Sequence, residues 1–230
     1  MTTDTLAEPV RPRSRLSTWA DRAWYEFWKN FVWLILRLLV RFRYEGRVHE
    51  PRRGPFIVAA NHASFLDPPL VAIGLRHKSA HMGKDTLFDV PILGSWLRSM
   101  GTFPVRRGTP DRRAIRHSLH VLEQGGVLLI FPEGTRSQDG RLKLPEPGAA
   151  MIALRTGVPV MPAAVINSHR IMRKGRRLPN PFGRVIVRYG RPMAVPKIEG
   201  RLDHATMLEW GNRIMAAIEA LLPEDQHRAR

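Results

Sequence analysis

From Trp19 to Arg43 the chain has neither glycine nor proline, and its apolar residues recur with a helical period. At roughly 100° per residue, Trp24, Phe27, Trp28, Phe31, Leu34, Ile35, Leu38 and Phe42 fall on one arc, with Lys29, Asn30, Arg37 and Arg41 opposite. Trp33 and Val40 are apolar exceptions on the polar side. The pattern predicts an amphipathic helix over residues 19–43. Beyond it, β-rich runs at 56–60, 101–105, 127–131, 158–166 and 184–189 alternate with helical patterns near 70–76, 92–100, 110–123, 148–156 and 203–222. That alternation predicts a single layered α/β domain over 44–222, a mixed, largely parallel sheet flanked by helices. The polar, aperiodic residues 1–18 and residues 223–230 read as tails, and the basic run 169–184 as an exposed loop.

Four of the six tryptophans lie in the first helix, at Trp19, Trp24, Trp28 and Trp33. A bilayer span needs about 20 largely apolar residues, whereas the unbroken apolar run, 31–36, stops at Arg37. The run also begins too late for a secretory signal. A helix lying in the membrane interface, with rings at headgroup depth and basic groups toward lipid phosphates, fits the pattern. The competing reading is a helix that packs its stripe on the domain.

The 230 residues carry 37 Lys and Arg against 20 Asp and Glu, a formal net charge of +17, with no cysteine. Disulfides, zinc–thiolate sites and thiol catalysis are excluded. The charge calls for an anionic partner, and composition alone leaves nucleic acid, a membrane surface and phosphorylated small molecules open.

Candidate chemistry stands at three strand ends. The run PFIVAA leads into Asn61-His62-Ala63-Ser64-Phe65-Leu66-Asp67-Pro68-Pro69. On a regular helix His62 and Asp67 would not share a face, but Pro68-Pro69 restrains Asp67 toward an extended conformation, and a turn then folds the carboxylate back on the ring. Asp67 would fix the tautomer and leave the other ring nitrogen as a general base. The plainer alternative is a helix-capping Asp beside a satisfied His. The run VLLIF leads into Pro132-Glu133-Gly134-Thr135-Arg136-Ser137, and GTFPV into Arg106-Arg107-Gly108. Guanidinium forks there suit phosphate, against the alternative of solvated surface charge. His117 and His120, three apart on an Arg-rich helix, lack the further ligands a metal needs, so no metal is expected.

The blocks NHASFLDP, GTFPVRRG, FPEGTRS and GVPVMPAAV, in this order and spacing, resemble the four motifs of the glycerolipid acyltransferases, in size most nearly the bacterial 1-acyl-glycerol-3-phosphate acyltransferases, which make phosphatidic acid. The resemblance spans residues 44–189. It implies His62 as catalytic base with Asp67 as its partner. Arg106, Glu133, Gly134, Thr135 and Arg136 correspond to the acceptor-binding set, and Val158, Pro159, Val160 and Pro162 to an apolar block on the acyl-donor side. One departure is Leu142-Lys143-Leu144-Pro145-Glu146-Pro147-Gly148, where many relatives carry a Phe-Lys-x-Gly type stretch. An acid there bears on acceptor specificity.

The resemblance implies direct transfer of a fatty acyl group from a thioester, acyl-CoA or acyl carrier protein, to the hydroxyl of lysophosphatidic acid, with no cofactor. The expected setting is the cytoplasmic face of the cell membrane, peripheral or monotopic. Ser64 lies in no Gly-x-Ser-x-Gly elbow, so an acyl-enzyme is not expected; backbone N–H groups after His62 are candidates for the oxyanion. A different acceptor, such as glycerol 3-phosphate, an ornithine lyso-lipid or a glycolipid, is the alternative. Nucleic-acid binding is disfavoured, because the aromatic residues do not interleave with the basic clusters.

Overall fold

The computed structural model describes residues 15–106, 111–172, 180 and 183–228, with side chains from residue 19 onward. In chain order its elements are α1 (Arg15–Leu39), β1 (Arg41–Glu45), β2 (Phe56–Ala60), α2 (Asp67–Gly74), β3 (Ser79–Lys84), α3 (Pro91–Ser99), β4 (Thr102–Val105), α4 (Arg112–Glu123), β5 (Val127–Ile130), α5 (Pro147–Thr156), β6 (Val160–Ile166), α6 (Ser168–Ile171), β7 (Arg184–Tyr189) and α7 (His204–Glu219). The strands form one sheet in the order β1-β7-β6-β2-β5-β3-β4. β6, β2, β5, β3 and β4 are parallel, while β7 runs antiparallel to β6 and carries β1 parallel to itself. This is the expected mixed, largely parallel α/β sheet.

The central strands are apolar without alternation because both faces are covered. Along β2, Ile57 and Ala59 enter a core shared with α4, α5 and α7, whereas Phe56, Val58 and Ala60 enter a second core shared with α1 and α2. α4 is capped by Asp111, whose carboxylate accepts the N–H groups of Arg113 and Ala114, and α7 by Asp203 through Thr206.

Four expectations need correction. The helix begins at Arg15, inside the expected tail, rather than at Trp19, and ends at Leu39 rather than Arg43, because Arg41–Glu45 is drawn into the sheet by pairing with β7. β3 was not foreseen. Residues 223–228 pack rather than trail: the side-chain oxygen of the buried Gln226 accepts the Asn167 N–H, and Arg228 pairs with Glu219. The expected loop 169–184 begins within α6 and ends at β7, and its residues 173–179, 181 and 182 lie outside the described residues, as do 1–14 of the expected N-terminal tail.

α1 turns a narrow side inward. Tyr25 and Leu36 are buried, Lys29 donates to the Leu75 carbonyl at 3.1 Å, and Trp24 Nε1 donates to Ser99 Oγ at 3.0 Å. Most of the predicted stripe, including Trp24, Phe27, Phe31, Leu34, Ile35 and Leu38, remains exposed. Among the described residues no helix is long and apolar enough to cross a membrane.

Candidate active site

β2 and β5 are adjacent and parallel, so the segments leaving their C-terminal ends emerge side by side, where open α/β sheets place their ligands. Beyond β2, Asn61 prolongs the sheet ladder with its side chain: Nδ2 donates to the Val165 carbonyl at 3.1 Å and Oδ1 accepts the Val165 N–H at 2.6 Å. The chain then turns, and Asp67 opens α2. The carboxylate does fold back as expected, but from the first residue of a helix rather than from an extended one.

Three donors converge on one oxygen of Asp67. Oδ2 lies 3.0 Å from His62 Nδ1 and accepts the backbone N–H groups of Ala63 at 2.7 Å and Ser64 at 2.6 Å. An acceptor already serving two amides takes a donor from the ring, so Nδ1 carries the proton and Nε2 the lone pair. His62 and Asp67 are both buried, and Asp67 Oδ1 is buried without a hydrogen-bond partner. The ring lies nearly flat on Phe131, centroids 4.3 Å apart at 28°. The amides of Ala63 and Ser64 are therefore taken, and the expectation that backbone N–H groups after His62 serve an oxyanion does not hold for them. Ser64 Oγ donates to the Met172 carbonyl at 3.0 Å.

The second motif clamps the first. Glu133 Oε1 accepts the His62 N–H at 2.7 Å, its Oε2 accepts the Lys143 N–H at 3.1 Å, and the Ser137 N–H reaches the His62 carbonyl at 2.7 Å. Burial pushes the Glu133 carboxyl up to about 7, against its two amide donors. Both its oxygens face the backbone, so it shapes the site. Gly134 has φ +66°, and a Cβ there would come 2.8 Å from Glu146 Cγ, so the turn requires glycine. Glu146, the acid of the departing stretch, thus packs on the motif itself. Lys143 Nζ donates to Thr135 Oγ1 at 2.6 Å, and the Arg136 guanidinium stands 5.8 Å over the exposed Phe65 ring.

Other predicted residues are not gathered in. Arg106 follows β4, three strand spacings from β2 or roughly 14 Å, is exposed, and gives its N–H to Asp111. Val158, Val160 and Pro162 are buried and Pro159 half-buried, before and within the N-terminal half of β6; Ala59 pairs with Pro162 in the sheet, so the block packs the core below the site. Lys84, at the C-terminal end of β3 and paired with Val105, was missed with its strand; a basic residue closing SAHMGK was the only signal. Among the described residues no three His, Asp or Glu side chains are grouped to hold a metal.

A buried, carboxylate-held imidazole thus stands at the C-terminal edge of a parallel sheet, clamped by a Glu-Gly-Thr-Arg turn, an arrangement chemically able to take up a proton at Nε2. Residues 41–166 match the family model described as Acyltransferase. The chain belongs to this acyltransferase family. The chloroplastic 1-acyl-sn-glycerol-3-phosphate acyltransferase BAT2 of Brassica napus is 33% identical over 191 residues, 81% of this chain and 52% of that protein. A lyso-ornithine lipid O-acyltransferase of Pseudomonas aeruginosa is 35% identical over 135 residues, 58% of this chain and 52% of that protein. This chain therefore spans about half the length of these relatives. The crystal structure of the 1-acyl-sn-glycerophosphate acyltransferase PlsC of Thermotoga maritima superposes with a TM-score of 0.74 at 26% identity, covering 91% of this chain and 82% of that one.

Proposed function

We propose that the protein transfers a fatty acyl group from a thioester donor, acyl-CoA or acyl carrier protein, to the free hydroxyl of 1-acyl-glycerol 3-phosphate, giving phosphatidic acid at the cytoplasmic face of the cell membrane. The observation that carries this reading is the ring of His62, held by Asp67 through Nδ1 with Nε2 left for chemistry. Nε2 takes the hydroxyl proton as the oxygen attacks the thioester carbonyl; a C–O bond forms and the C–S bond breaks. Asp67 stabilises the imidazolium, which returns the proton to the leaving thiolate. Arg136, on the turn beside His62, supplies a guanidinium group for the phosphate. No cofactor takes part.

A second reading has its own observation. Glu146 is an exposed acid beside the Gly134 turn, suited to a cationic headgroup such as that of a lyso-ornithine lipid, the acceptor in the name of one relative.

One assay separates them: transfer from both donor types to lysophosphatidic acid, lyso-ornithine lipid, glycerol 3-phosphate and monoacylglycerol. Lysophosphatidic acid should exceed monoacylglycerol by about two to four orders of magnitude in kcat/KM, the worth of a bidentate charge-assisted contact. Arg136→Ala should remove most of that preference while sparing monoacylglycerol. Equal use of the two acceptors by the native enzyme would remove the phosphate reading. Undiminished transfer by folded His62→Ala would remove the mechanism.

A further inference from the structure

Among the described residues outside α1, the large apolar side chains left exposed are Val48, Phe65, Val90, Ile92, Leu144 and Leu208. Phe65 and Leu144 belong to the loops that build the site. Val90 and Ile92, 53% and 88% exposed, do not, yet the topology brings them to the same edge. β3 is parallel to β5 and ends at Lys84, six residues before Val90. α3 then runs back and enters β4 through Met100 and Gly101 alone, so its first turn stands at the C-terminal edge of the sheet. The end of α1 is there too: Arg41 pairs with Arg184, the first residue of β7, which runs opposite to β6.

This turn is built to hold its apolar side chains outward. Pro91 begins the helix, and the Gly94 N–H closes the first turn on the Val90 carbonyl at 2.7 Å. Behind it α3 is tight against Phe88, whose carbonyl a Cβ on Gly94 would approach to 2.7 Å, leaving no room for the turn to roll inward. A groove of about 960 Å³ joins the turn to α1, lined by Trp24, Trp28, Val90, Pro91, Ile92 and Trp96 among others. The exposed stripe of α1 and the tip of α3 thus form one continuous apolar surface.

We infer that Val90 and Ile92 are a second lipid-contacting element, dipping into an anionic membrane surface beside α1 and turning the His62 edge of the sheet toward the lipid. The inference rests on the reading of α1 as an interfacial helix. Charge complementarity names a lipid surface as the occupant: the exposed Lys84 closes β3 at this edge, the exposed Arg37 lies on α1, and the chain carries +17 overall. Asp89, exposed beside Val90, limits insertion to the two side chains.

The absence of cysteine makes the test direct. Ile92→Cys, Leu38→Cys and Val48→Cys are each labelled with a polarity-sensitive fluorophore and mixed with vesicles of equal parts phosphatidylcholine and phosphatidylglycerol. Val48 follows the far end of β1, away from the site. Labels at 92 and 38 should shift blue and be quenched by lipid-borne doxyl groups, and the label at 48 should do neither. Ile92→Glu should weaken vesicle binding by about 10- to 100-fold, the worth of one buried aliphatic side chain, with unchanged thermal unfolding and unchanged transfer to a detergent-dispersed acceptor. A shift at 38 with the label at 92 still in water overturns the inference and leaves the interfacial helix standing; no shift at either removes both. A change of oligomeric state in lipid-free Ile92→Glu would assign the turn to a second copy of the chain and overturn it as well.

Discussion

At the scale of single residues, the site is governed by which carboxylate oxygens are occupied. Asp67 Oδ2 takes three donors while Oδ1 has none. In Asp67→Asn the backbone amides of Ala63 and Ser64 will orient the new carbonyl oxygen into the Oδ2 position, and the NH2 will fall where no partner exists already. The tautomer survives and only the charge is lost. Near-native stability with a rate loss of about 10- to 100-fold is expected, the worth of one charge-assisted hydrogen bond; single-turnover transfer together with urea unfolding checks it, and a loss as large as that of His62→Ala would mean the geometry is also gone. Glu133 carries a pH signature. Its ordinary value is 4.5, and burial raises it to about 7 in the folded protein. The folded state therefore holds the extra proton between those values, so the penalty is absent below pH 4.5 and complete above pH 7, on the order of 3 kcal/mol. Stability should fall as pH rises through that window. In Glu133→Gln this slope should vanish, but an amide cannot accept from both His62 and Lys143, so the variant should be less stable than the native protein at pH 5 and close to it at pH 8. A pH-independent difference in urea midpoints would contradict the assignment.

At the scale of elements, α1 divides its labour along its faces. Leu36 is buried against the second core, whereas Leu38 is 70% exposed. Leu36→Ala should cost about 2 to 5 kcal/mol and Leu38→Ala less than about 0.5 kcal/mol in denaturant unfolding without lipid; equal effects would mean the helix does not dock as described. The same helix shows where sequence reading stops short. The stretch RFRYE does alternate, with Phe42 buried and Arg41 and Arg43 exposed, yet freedom from glycine and proline carries the helical reading through it, and only pairing with β7 ends the helix at Leu39. β3, reading SAHMGK, has little apolar character and exists because β4 and β5 flank it. A strand held by both neighbours needs little propensity of its own.

At the scale of the whole molecule, a net charge of +17 and a largely exposed aromatic stripe act together. Charge attraction is screened to about 3 Å in 1 M salt, while apolar burial persists. Salt should loosen the protein from anionic vesicles and detergent should be needed to release it, as cosedimentation will report; complete release by salt alone would leave a purely electrostatic surface.

What the sequence by itself determined is local and chemical. It placed the buried strands from their unbroken apolar runs, the amphipathic first helix from its period, and the His62 and Glu133 clusters just past two strand ends. Only the tertiary structure decided how those groups are used. Glu133 meets His62 across 71 positions because β2 and β5 are neighbours, and no periodicity records which strands will pair. The amides of Ala63 and Ser64 proved occupied, Arg106 stands three strands away, and residues 158–162 pack the core beneath the site. Residue type states what a group can donate or accept; non-local packing decides which partner reaches it first.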